Sequence, residues 1–482
     1  MPSAPPAPPQ AQQRVLSTLN VDGSRRWLRP KLSTGAFWRR RRVVAYGLML
    51  VFFLIPYLRM NGRPLVLLDI PRREFTMFGY TFLPTDTLLF MLLLMSIAIA
   101  IFLLTALVGR AWCGWACPQT VYMEFLFRPI ERLFEGGASG STRLDKAGRF
   151  QPRRLAKHAV YLVLALFLAH TFLAYFVGIE QLVQWVQRSP LEHPTSFLIM
   201  AGTTAAIFLD FAWFREQTCI LACPYGRLQS VLLDRQSLIV GYDPRRGEPR
   251  SLKVKGRAAD AGDCIDCGAC VLTCPTGIDI REGLQMECIH CTQCADACDA
   301  IMERVGKPKG LIRYSSRDAL EGLGVHLLRA RVILYPLALV LALGLLGFNL
   351  GTKAVADVTL LRGIGAPFTR EPGGRVINQV RVRVANRGHA DRAYLLELVD
   401  AEEITLVAPQ NPLPVAAGKM AQTSVFVMVP AGEFEHGELH VRFRVSDGKG
   451  FAEELPYELV GPAESAEEPA DDAGAESPGE GS

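Results

Sequence analysis

Residues 264–298 read CIDCGACVLTCPTGIDIREGLQMECIHCTQCADAC and contain eight of the twelve cysteines of the chain. These eight form two combs with one spacing, C-x2-C-x2-C-x3-C: Cys264, Cys267, Cys270 and Cys274, then Cys288, Cys291, Cys294 and Cys298. A C-x2-C-x2-C loop supplies three thiolates to one 4Fe-4S cluster, and the fourth comes from the other comb. The stretch therefore predicts a ferredoxin-like α+β insert, at about residues 258–305, with two 4Fe-4S clusters close together.

The crossover of the fourth ligand assigns four cysteines to each cluster. The first set is Cys264, Cys267, Cys270 and Cys298, and the second set is Cys274, Cys288, Cys291 and Cys294. A pair of zinc sites is the alternative, but zinc normally takes two separated C-x2-C pairs. Pro275 follows the first comb and Asp299 the second, which predicts different surroundings for the two clusters. His290, inside the second comb, is expected to be a solvated loop residue.

The composition indicates a membrane protein, because half of the 482 residues are hydrophobic and only 21% are charged. A transmembrane helix needs about 20 mostly apolar residues. Five stretches are predicted to span a bilayer: 43–58, 87–108, 159–178, 195–214 and 332–350. The first four make a helical membrane domain, 43–214. The basic leader before it is too long for the n-region of a signal peptide, so no cleaved signal peptide is expected.

Counts of Lys and Arg predict the orientation of these spans. The leader 1–42 and the connector 109–158 have nine basic residues each, whereas the loops 59–86 and 179–194 have four and one. The leader, the connector and the long segment 215–331 are therefore expected in the cytoplasm. All twelve cysteines then lie on the reducing side of the membrane. The basic segments favour anionic lipid over nucleic acid as a partner.

Two further cysteine pairs have the spacing C-x3-C-P. They are Cys113 with Cys117 and Cys219 with Cys223. If each stretch continues its span as a helix, the i,i+4 spacing puts both sulfurs of a pair on one face. Both pairs follow a predicted span on its inner side, so the four thiols are expected to converge at the membrane surface. Copper binding, a further cluster and redox-active dithiols all remain open as their chemistry.

The sequence changes in character after the fifth transmembrane helix, assigned to 332–351. Residues 376–385 (VINQVRVRVA) and 438–445 (ELHVRFRV) alternate apolar and polar side chains, as strands with one buried face do. Short strands of this kind predict a periplasmic β-sandwich at 352–462. This domain has no cysteine, which favours a binding role over a catalytic one. Residues 463–482 contain seven acids and no Lys or Arg, and are expected to be a disordered tail.

Three stretches together resemble the cytochrome c oxidase accessory protein family, known as CcoG, FixG or RdxA. They are RAWCGWACPQT at 110–120, TCILACPYGR at 218–227, and Cys264–Asp299 with its Cys-Asp ending. The resemblance covers the chain except for residues 1–30 and 463–482, and it implies an immunoglobulin-like C-terminal domain. The C-x3-C-P pairs are the less diagnostic part, because membrane ferredoxins of nitrate and nitrous oxide respiration share them.

The resemblance implies a bacterial inner-membrane protein that supports maturation of cbb3-type haem–copper oxidases. It implies a cupric reductase that reduces Cu(II) to Cu(I), the soft form that thiolate and thioether copper chaperones prefer. The eight comb cysteines would bind the clusters, and Cys113, Cys117, Cys219 and Cys223 would be the copper-reducing or membrane-relay residues. Oxidase subunits and copper chaperones or transporters are the implied partners.

Two other functions remain open. One is a quinol-linked respiratory subunit that passes electrons to a periplasmic partner. The other is an assembly scaffold whose β domain holds oxidase subunits. The sequence identifies neither the electron donor nor the oligomeric state, and it leaves a homo-oligomer open.

Overall fold

Long apolar helices dominate the first two thirds of the chain, and β-strands dominate the rest. The structure is a computed structural model, and it describes residues 16–20, 22–60, 62–71, 74–78, 80–82, 86–148, 151–251, 261–324, 328–352, 354–388, 390–399 and 403–462. The chain divides into two compact units, Met1–Asn349 and Leu350–Ser482. The predicted acidic tail, 463–482, lies outside the described residues.

The first unit is mainly helical, and many of its helices start at a proline. In chain order the helices are α1 Ala36–Leu54, α2 Thr87–Val108, α3 Ala111–Trp115, α4 Pro118–Tyr122, α5 Arg128–Glu135, α6 Gly137–Lys146, α7 Pro152–Val177, α8 Ile179–Val186, α9 Pro194–Leu209, α10 Pro224–Leu232, α11 Pro244–Gly247, α12 Ala269–Thr273, α13 Gln293–Arg304, α14 Arg317–Glu321 and α15 Ala330–Gly351. Proline suits a first helical position because the N–H that it lacks would have no partner within the helix. Single π-helical turns at Met123–Phe127, Asp210–Phe214 and Thr218–Ala222 adjoin α4, α9 and α10.

Four helices among the described residues are long and apolar enough to cross a membrane: Thr87–Val108, Pro152–Val177, Pro194–Phe214 and Ala330–Gly351. They correspond to four of the five predicted spans. The other predicted span, 43–58, is the later part of α1 with the turn that follows it. Because α1 begins at Ala36, it also includes four consecutive arginines, and it does not have the composition of a typical span. The count of five spans stays a prediction.

Helix α1 lies along α7, and both helices run in the same direction. Near the start of α1, the Arg41 Nε donates a hydrogen bond to the Gly114 carbonyl oxygen at 2.8 Å. Near its end, the Tyr175 hydroxyl of α7 donates to the Phe52 carbonyl oxygen at 2.7 Å, and the two rings stack. The first turns of α7 instead contact the connector, where Lys157 pairs with Glu135 at 2.6 Å. The two helices therefore extend together from the connector to the opposite end of the bundle.

Short strands occupy two places in the first unit. Five follow α1: β1 Arg59–Met60, β2 Arg63–Pro64, β3 Val66–Asp69, β4 Glu74–Met77 and β5 Tyr80–Phe82. Two more enclose the cysteine combs, because β6 Ile239–Tyr242 pairs antiparallel with β7 Ile312–Ser315. Together with α12 and α13 this pair gives the α+β insert predicted from the combs. Its core contains Val240, Met302 and Leu311, all nearly inaccessible to solvent.

The second unit is a sandwich of two antiparallel sheets. Its strands are β8 Ala356–Arg362, β9 Thr369–Arg370, β10 Arg375–Asn386, β11 Arg392–Val399, β12 Thr405–Val407, β13 Leu413–Val415, β14 Met420–Pro430, β15 Glu438–Ser446 and β16 Ala452–Val460. One sheet has the order β12-β14-β10-β8, with β9 also on β10, and the other has β13-β11-β15-β16. Alternate residues of the long strands point inward and bury Val382, Tyr394 and Phe443 completely. The predicted β-sandwich is confirmed.

Candidate metal centres

The first predicted set of cysteines surrounds one cavity in the α+β insert. The wall of this cavity includes Cys264, Cys267, Cys270 and Cys298. The rest of the wall is mainly apolar, with Ile265, Ile301 and Met302 among its residues. Burial raises the pKa of the Cys270 thiol to about 11 and that of the Cys298 thiol to about 12. The structure thus brings together four sulfurs from both combs in a water-poor space.

The second predicted set surrounds a neighbouring cavity. Cys274, Cys288, Cys291 and Cys294 line it, together with Cys270 of the first set. Burial raises the pKa of the Cys288 thiol to about 12 and that of Cys291 to about 11. Because Cys270 lies in the walls of both cavities, the two sets are directly adjacent.

The chemistry of both walls fits iron–sulfur clusters better than zinc. The usual metal-ligating residues are His, Cys, Asp and Glu. Among the residues that line the two cavities, the cysteines are the only ones of these types. Four thiolates on one zinc ion would place their sulfurs roughly 4 Å apart, because Zn–S bonds are about 2.3 Å. Among the described residues, the single group of such side chains whose ligand atoms all lie within 4.8 Å contains no cysteine. The comb sulfurs are therefore spread around a larger space than one ion fills.

The last cysteines of the two combs differ in backbone structure. Cys274 is extended and ends α12, because a residue before proline is pushed out of the helical conformation. Cys298 has Asp299 after it instead, and it lies inside α13. The Asp299 carboxylate accepts a hydrogen bond from the Gly310 N–H at 2.8 Å. The residue after each comb thus gives the crossing ligand a different backbone conformation, extended at Cys274 and helical at Cys298.

The expectation that each C-x3-C pair lies on one helix is wrong. Helix α3 ends at Trp115, and Cys117 is extended and precedes α4. Cys219 lies in a π-helical turn, and Cys223 is extended and precedes α10. In each pair the following proline keeps the second cysteine out of the helix. Helical periodicity therefore does not position these sulfurs.

The four thiols of the two pairs nevertheless converge. Cys113, Cys117 and Cys219 lie close enough to one another and to Cys223 that charges on the neighbouring thiols help raise their pKa. Burial raises the pKa of the Cys113 thiol to about 11 and that of Cys219 to about 12. The Cys113 thiol donates to the Oε1 of Gln229, a residue inaccessible to solvent, at 3.0 Å. We call these four residues the membrane-side thiol site.

The membrane-side thiol site touches the second comb through Gly114. A Cβ atom at Gly114 would lie 2.6 Å from the Ile289 carbonyl oxygen and 2.9 Å from the Cys291 nitrogen, closer than real Cβ atoms come to backbone. Glycine is therefore required for this approach of two backbones. Cys113 and Cys291 belong to one buried cluster with Ile289.

The sequence predicts that His290 is a solvated loop residue. In the structure this residue is completely buried. The backbone N–H of Arg110 donates to its Nδ1 at 3.1 Å, and the Tyr314 hydroxyl donates to its carbonyl oxygen at 2.9 Å. Burial, with the nearby positive charge of Arg110 as a second cause, lowers the pKa of His290 to about 3. The imidazole is thus a neutral hydrogen-bond acceptor that joins the second comb to the chain leaving α2.

The leader also contacts the cluster-binding insert. The Ser17 hydroxyl donates to the Thr276 carbonyl oxygen at 2.7 Å, and the Lys31 N–H donates to the Leu272 carbonyl oxygen at 2.9 Å. The carboxylate of Asp296, between the last two cysteines of the second comb, accepts from the N–H groups of Phe37 and Trp38 at 3.1 and 2.7 Å. It therefore caps the first turn of α1.

Sequence reasoning missed Arg110, Gly114, His290 and Asp296 as residues that position the site. Their partners lie far away along the chain, and no local pattern marks such pairs. The one available signal is that Asp296 and His290 are polar residues inside a comb whose cysteines must be buried.

Family models and curated relatives agree with this architecture. A model described as a 4Fe-4S dicluster domain matches residues 214–317, one described as a 4Fe-4S binding domain matches 90–135, and one for the IG-like fold at the C-terminal of FixG matches 346–462. The nitrogen fixation protein FixG of Rhizobium meliloti is 32% identical, over 86% of this chain and 88% of that protein.

Two proteins of Cereibacter sphaeroides are similarly close. Protein RdxA is 32% identical over 87% of this chain and 93% of its own length. Protein RdxB is 31% identical over 86% of this chain and 91% of its own length. With a similarity that extends through the helical bundle, the dicluster insert and the β-sandwich, the chain belongs to the FixG/RdxA family of iron–sulfur electron-transfer proteins.

Proposed function

We propose that this protein transfers single electrons through its thiol-rich insert and reduces Cu(II) to Cu(I) at the membrane-side thiol site. One observation carries the proposal: two cavities, one lined by four cysteines and the other by five, adjoin each other and the membrane-side thiols within one unit. Iron–sulfur clusters, when bound by such cysteines, supply one-electron chemistry at potentials set by their surroundings. Cu(II) takes up one electron to become Cu(I), so donor and acceptor match in electron number.

The exposure and contacts of the three thiol sets support an order of electron transfer from the surface to the bundle. Of the twelve cysteines, all within described ranges, Cys267 alone is exposed. We assign the surface around it to the electron donor. No cysteine of the second set is exposed, and Gly114 lets the Cys113 segment contact this set. The surrounding apolar side chains exclude water, which protects reduced intermediates from side reactions.

The contacts of α1 support five membrane spans. The first turn of α1 contacts Asp296 of the insert, whereas Arg59, just after α1, forms an ion pair with Glu180, just after α7. The start and end of α1 thus lie beside opposite ends of α7, which is long and apolar enough to span the membrane. We propose that the leader, the connector and the insert face the cytoplasm of a bacterial inner membrane, and that the β-sandwich faces the periplasm.

Copper is the substrate in this proposal. Thiolates prefer Cu(I) to Cu(II) as a metal ion, so a thiol site favours the reduced product. From the proposed family role, we infer that this protein lies beside a cbb3-type oxidase under assembly. Copper chaperones or transporters would then donate and accept the ion.

The test is Cu(II) reduction by purified full-length protein loaded with clusters. Protein reduced with dithionite and freed of excess reductant is mixed anaerobically with Cu(II), and Cu(I) is measured with a chromogenic chelator. We expect Cu(I) in amounts comparable to the electrons stored, and strong loss in a C113S/C219S variant that retains both comb clusters. Leu221→Ala is the matched control, because Leu221 lies between the two thiols of its pair and is exposed. No Cu(I) above the level of unreduced protein would reject the proposal.

A further inference from the structure

A cavity in the first unit, away from the two comb cavities, is lined by four arginines. They are Arg29 of the leader, Arg128 and Arg132 of α5, and Arg215, which directly follows the span Pro194–Phe214. Among the described residues of this wall, Glu131 alone carries a negative charge. We call this space the arginine cavity. The charge of its wall favours an anionic ligand.

Two of the four arginines are buried. The side chains of Arg128 and Arg215 are only 6% and 7% exposed. Arg128 donates to Glu124 at 2.6 Å, and Arg215 donates to both carboxylate oxygens of Glu131 at 2.9 Å. Each of the two arginines nevertheless has a buried Nε without a hydrogen-bond acceptor among the described residues. Buried donors normally have an acceptor in the protein, in water or in a ligand.

The other two arginines leave a surplus of positive charge. Arg29 forms an ion pair with Asp145 of α6. Arg132 is partly exposed, and its side chain has no partner among the described residues. Three of the arginines are therefore paired with carboxylates, and the charge of Arg132 is available to a ligand.

The first turn of α6 supplies a second kind of anion-binding group. Gly137 and Ala138, the first two residues of this ten-residue helix, lie in the wall of the arginine cavity. No side chain caps the turn, and the turn contains no acid. The first N–H groups of a helix have no partner within it, and the helix dipole gives this end a partial positive charge. No atom lies within 4 Å of a Cβ position at Gly137, so there is space in front of the turn.

The arginine cavity lies at the level where a candidate span ends. Arg215 is the residue after Pro194–Phe214, which is long and apolar enough to cross a membrane. The end of a span lies near the lipid headgroups, and basic pockets beside membrane helices bind anionic headgroups. A phosphate group can accept hydrogen bonds from guanidinium groups and from a helix N-terminus at the same time.

We propose that the arginine cavity binds a phosphate group, carried either by an anionic phospholipid or by a free phosphate compound. Arg132 and the first turn of α6 contact the phosphate, and the buried Arg128 and Arg215 add positive charge behind it. Arg128 and Arg215 also line a neighbouring cavity together with Cys219. The occupied site therefore adjoins the membrane-side thiol site, but its existence does not depend on copper as the electron acceptor.

Native mass spectrometry of the full-length, cluster-loaded protein tests the proposal. Protein in detergent micelles receives equal amounts of phosphatidylglycerol and phosphatidylcholine, and the retained lipids are counted. Both headgroups contain the phosphate, but choline brings a positive charge towards the arginines. If a lipid is the ligand, we expect preferential retention of phosphatidylglycerol. Arg132→Gln should weaken binding about tenfold, because a hydrogen bond to a charged group is lost.

Two further variants make this test specific. Arg143→Gln is the matched control, because Arg143 is an exposed residue of α6 outside the wall of the cavity. It should change the binding by less than about twofold, since a single exposed charge contributes little. Ala138→Asp places an acid in the first turn of α6, where it favours the helix but repels a phosphate. We expect A138D to lose the binding and to keep the iron content of the wild type, which shows that the variant is folded.

The two sources of the phosphate give different results. If a lipid is the ligand, inorganic phosphate at millimolar concentration does not displace phosphatidylglycerol. If a free phosphate compound is the ligand, inorganic phosphate binds to the wild type, more weakly to R132Q, and neither lipid is preferred. Unchanged binding of both probes in R132Q and A138D would overturn the proposal, as would equal weakening in R132Q and R143Q.

Discussion

At the scale of single residues, the contact between the second comb and the helical bundle depends on small and neutral groups. Gly114 has no side chain where the Ile289 and Cys291 backbones approach, and His290 accepts a hydrogen bond from the Arg110 N–H. The Arg110 N–H would cost about 1–3 kcal/mol if it were buried without an acceptor, and the His290 Nδ1 supplies that acceptor. These residues transmit no electrons themselves but fix the spacing of groups that do.

Gly114→Ala tests this close approach. The added Cβ would overlap the Ile289 carbonyl oxygen, so we expect the two backbones to separate and the second cluster to be lost more easily. Iron content after gel filtration and the electron paramagnetic resonance signal of that cluster measure the effect. Gly47→Ala is the matched control, because Gly47 is also helical and no atom lies within 4 Å of its Cβ position. Equal iron retention in both variants would contradict the prediction.

At the scale of secondary-structure elements, prolines decide where the cysteines lie. A proline after Cys117, Cys223 and Cys274 stops one helix or starts the next, whereas Cys298 has no such neighbour and α13 continues through it. The prediction from i,i+4 spacing failed because it treated each span as unbroken and gave no weight to the residue before proline. The local chemistry of that one position outweighs the periodicity of the span.

Asp296→Ala tests the cap of α1. Losing a carboxylate that accepts two N–H groups costs about 1–2 kcal/mol, so we expect faster hydrogen exchange by about 5- to 30-fold at Phe37 and Trp38. Mass spectrometry of peptides from the first turn of α1 measures the exchange. Asp299→Ala is the control, because the Asp299 carboxylate lies on the same helix but accepts from Gly310. Similar exchange at Phe37 in the wild type and in D296A would show that the cap is not significant.

Phe443→Ala tests the β-sandwich as an independently folding element. The second unit has its own core, in which Phe443 is completely buried, so residues 354–462 are expected to fold alone. Removing the ring should lower the free energy of unfolding by about 3–5 kcal/mol, measured by urea denaturation. Val407→Ala on β12 should change it by less than about 0.5 kcal/mol, because Val407 is exposed. A smaller loss in F443A than in V407A would refute this assignment of the core.

Local sequence signals predict much of this molecule. The comb spacing predicted which cysteines line each cavity together. Apolar runs predicted four candidate spans, and alternation predicted the long strands β10 and β15. The contacts of the leader, and those of Gly114 and Asp296, were not predictable, because each joins segments separated by well over a hundred residues. Burial of His290 was missed for the same reason: its partner, Arg110, is set by the fold and not by the comb.

At the scale of the whole molecule, the direction of α1 determines the topology. Reporter fusions after Met60, Glu321 and Pro462 test it in cells. We expect alkaline phosphatase to be active at Met60 and Pro462, and green fluorescent protein to fluoresce at Glu321, because the proposed topology keeps the basic leader and connector in the cytoplasm. Fluorescence at Met60 would show that α1 does not cross the membrane.

The cap of α1 by Asp296 also constrains how the protein is made. The residues that start this helix leave the ribosome early, but the carboxylate that completes its first turn follows about 260 positions later. Because Asp296 lies between two cluster cysteines, its position depends on the comb being folded. The first turn of α1 can therefore receive its cap only after the chain has been made as far as residue 296 and the insert has formed.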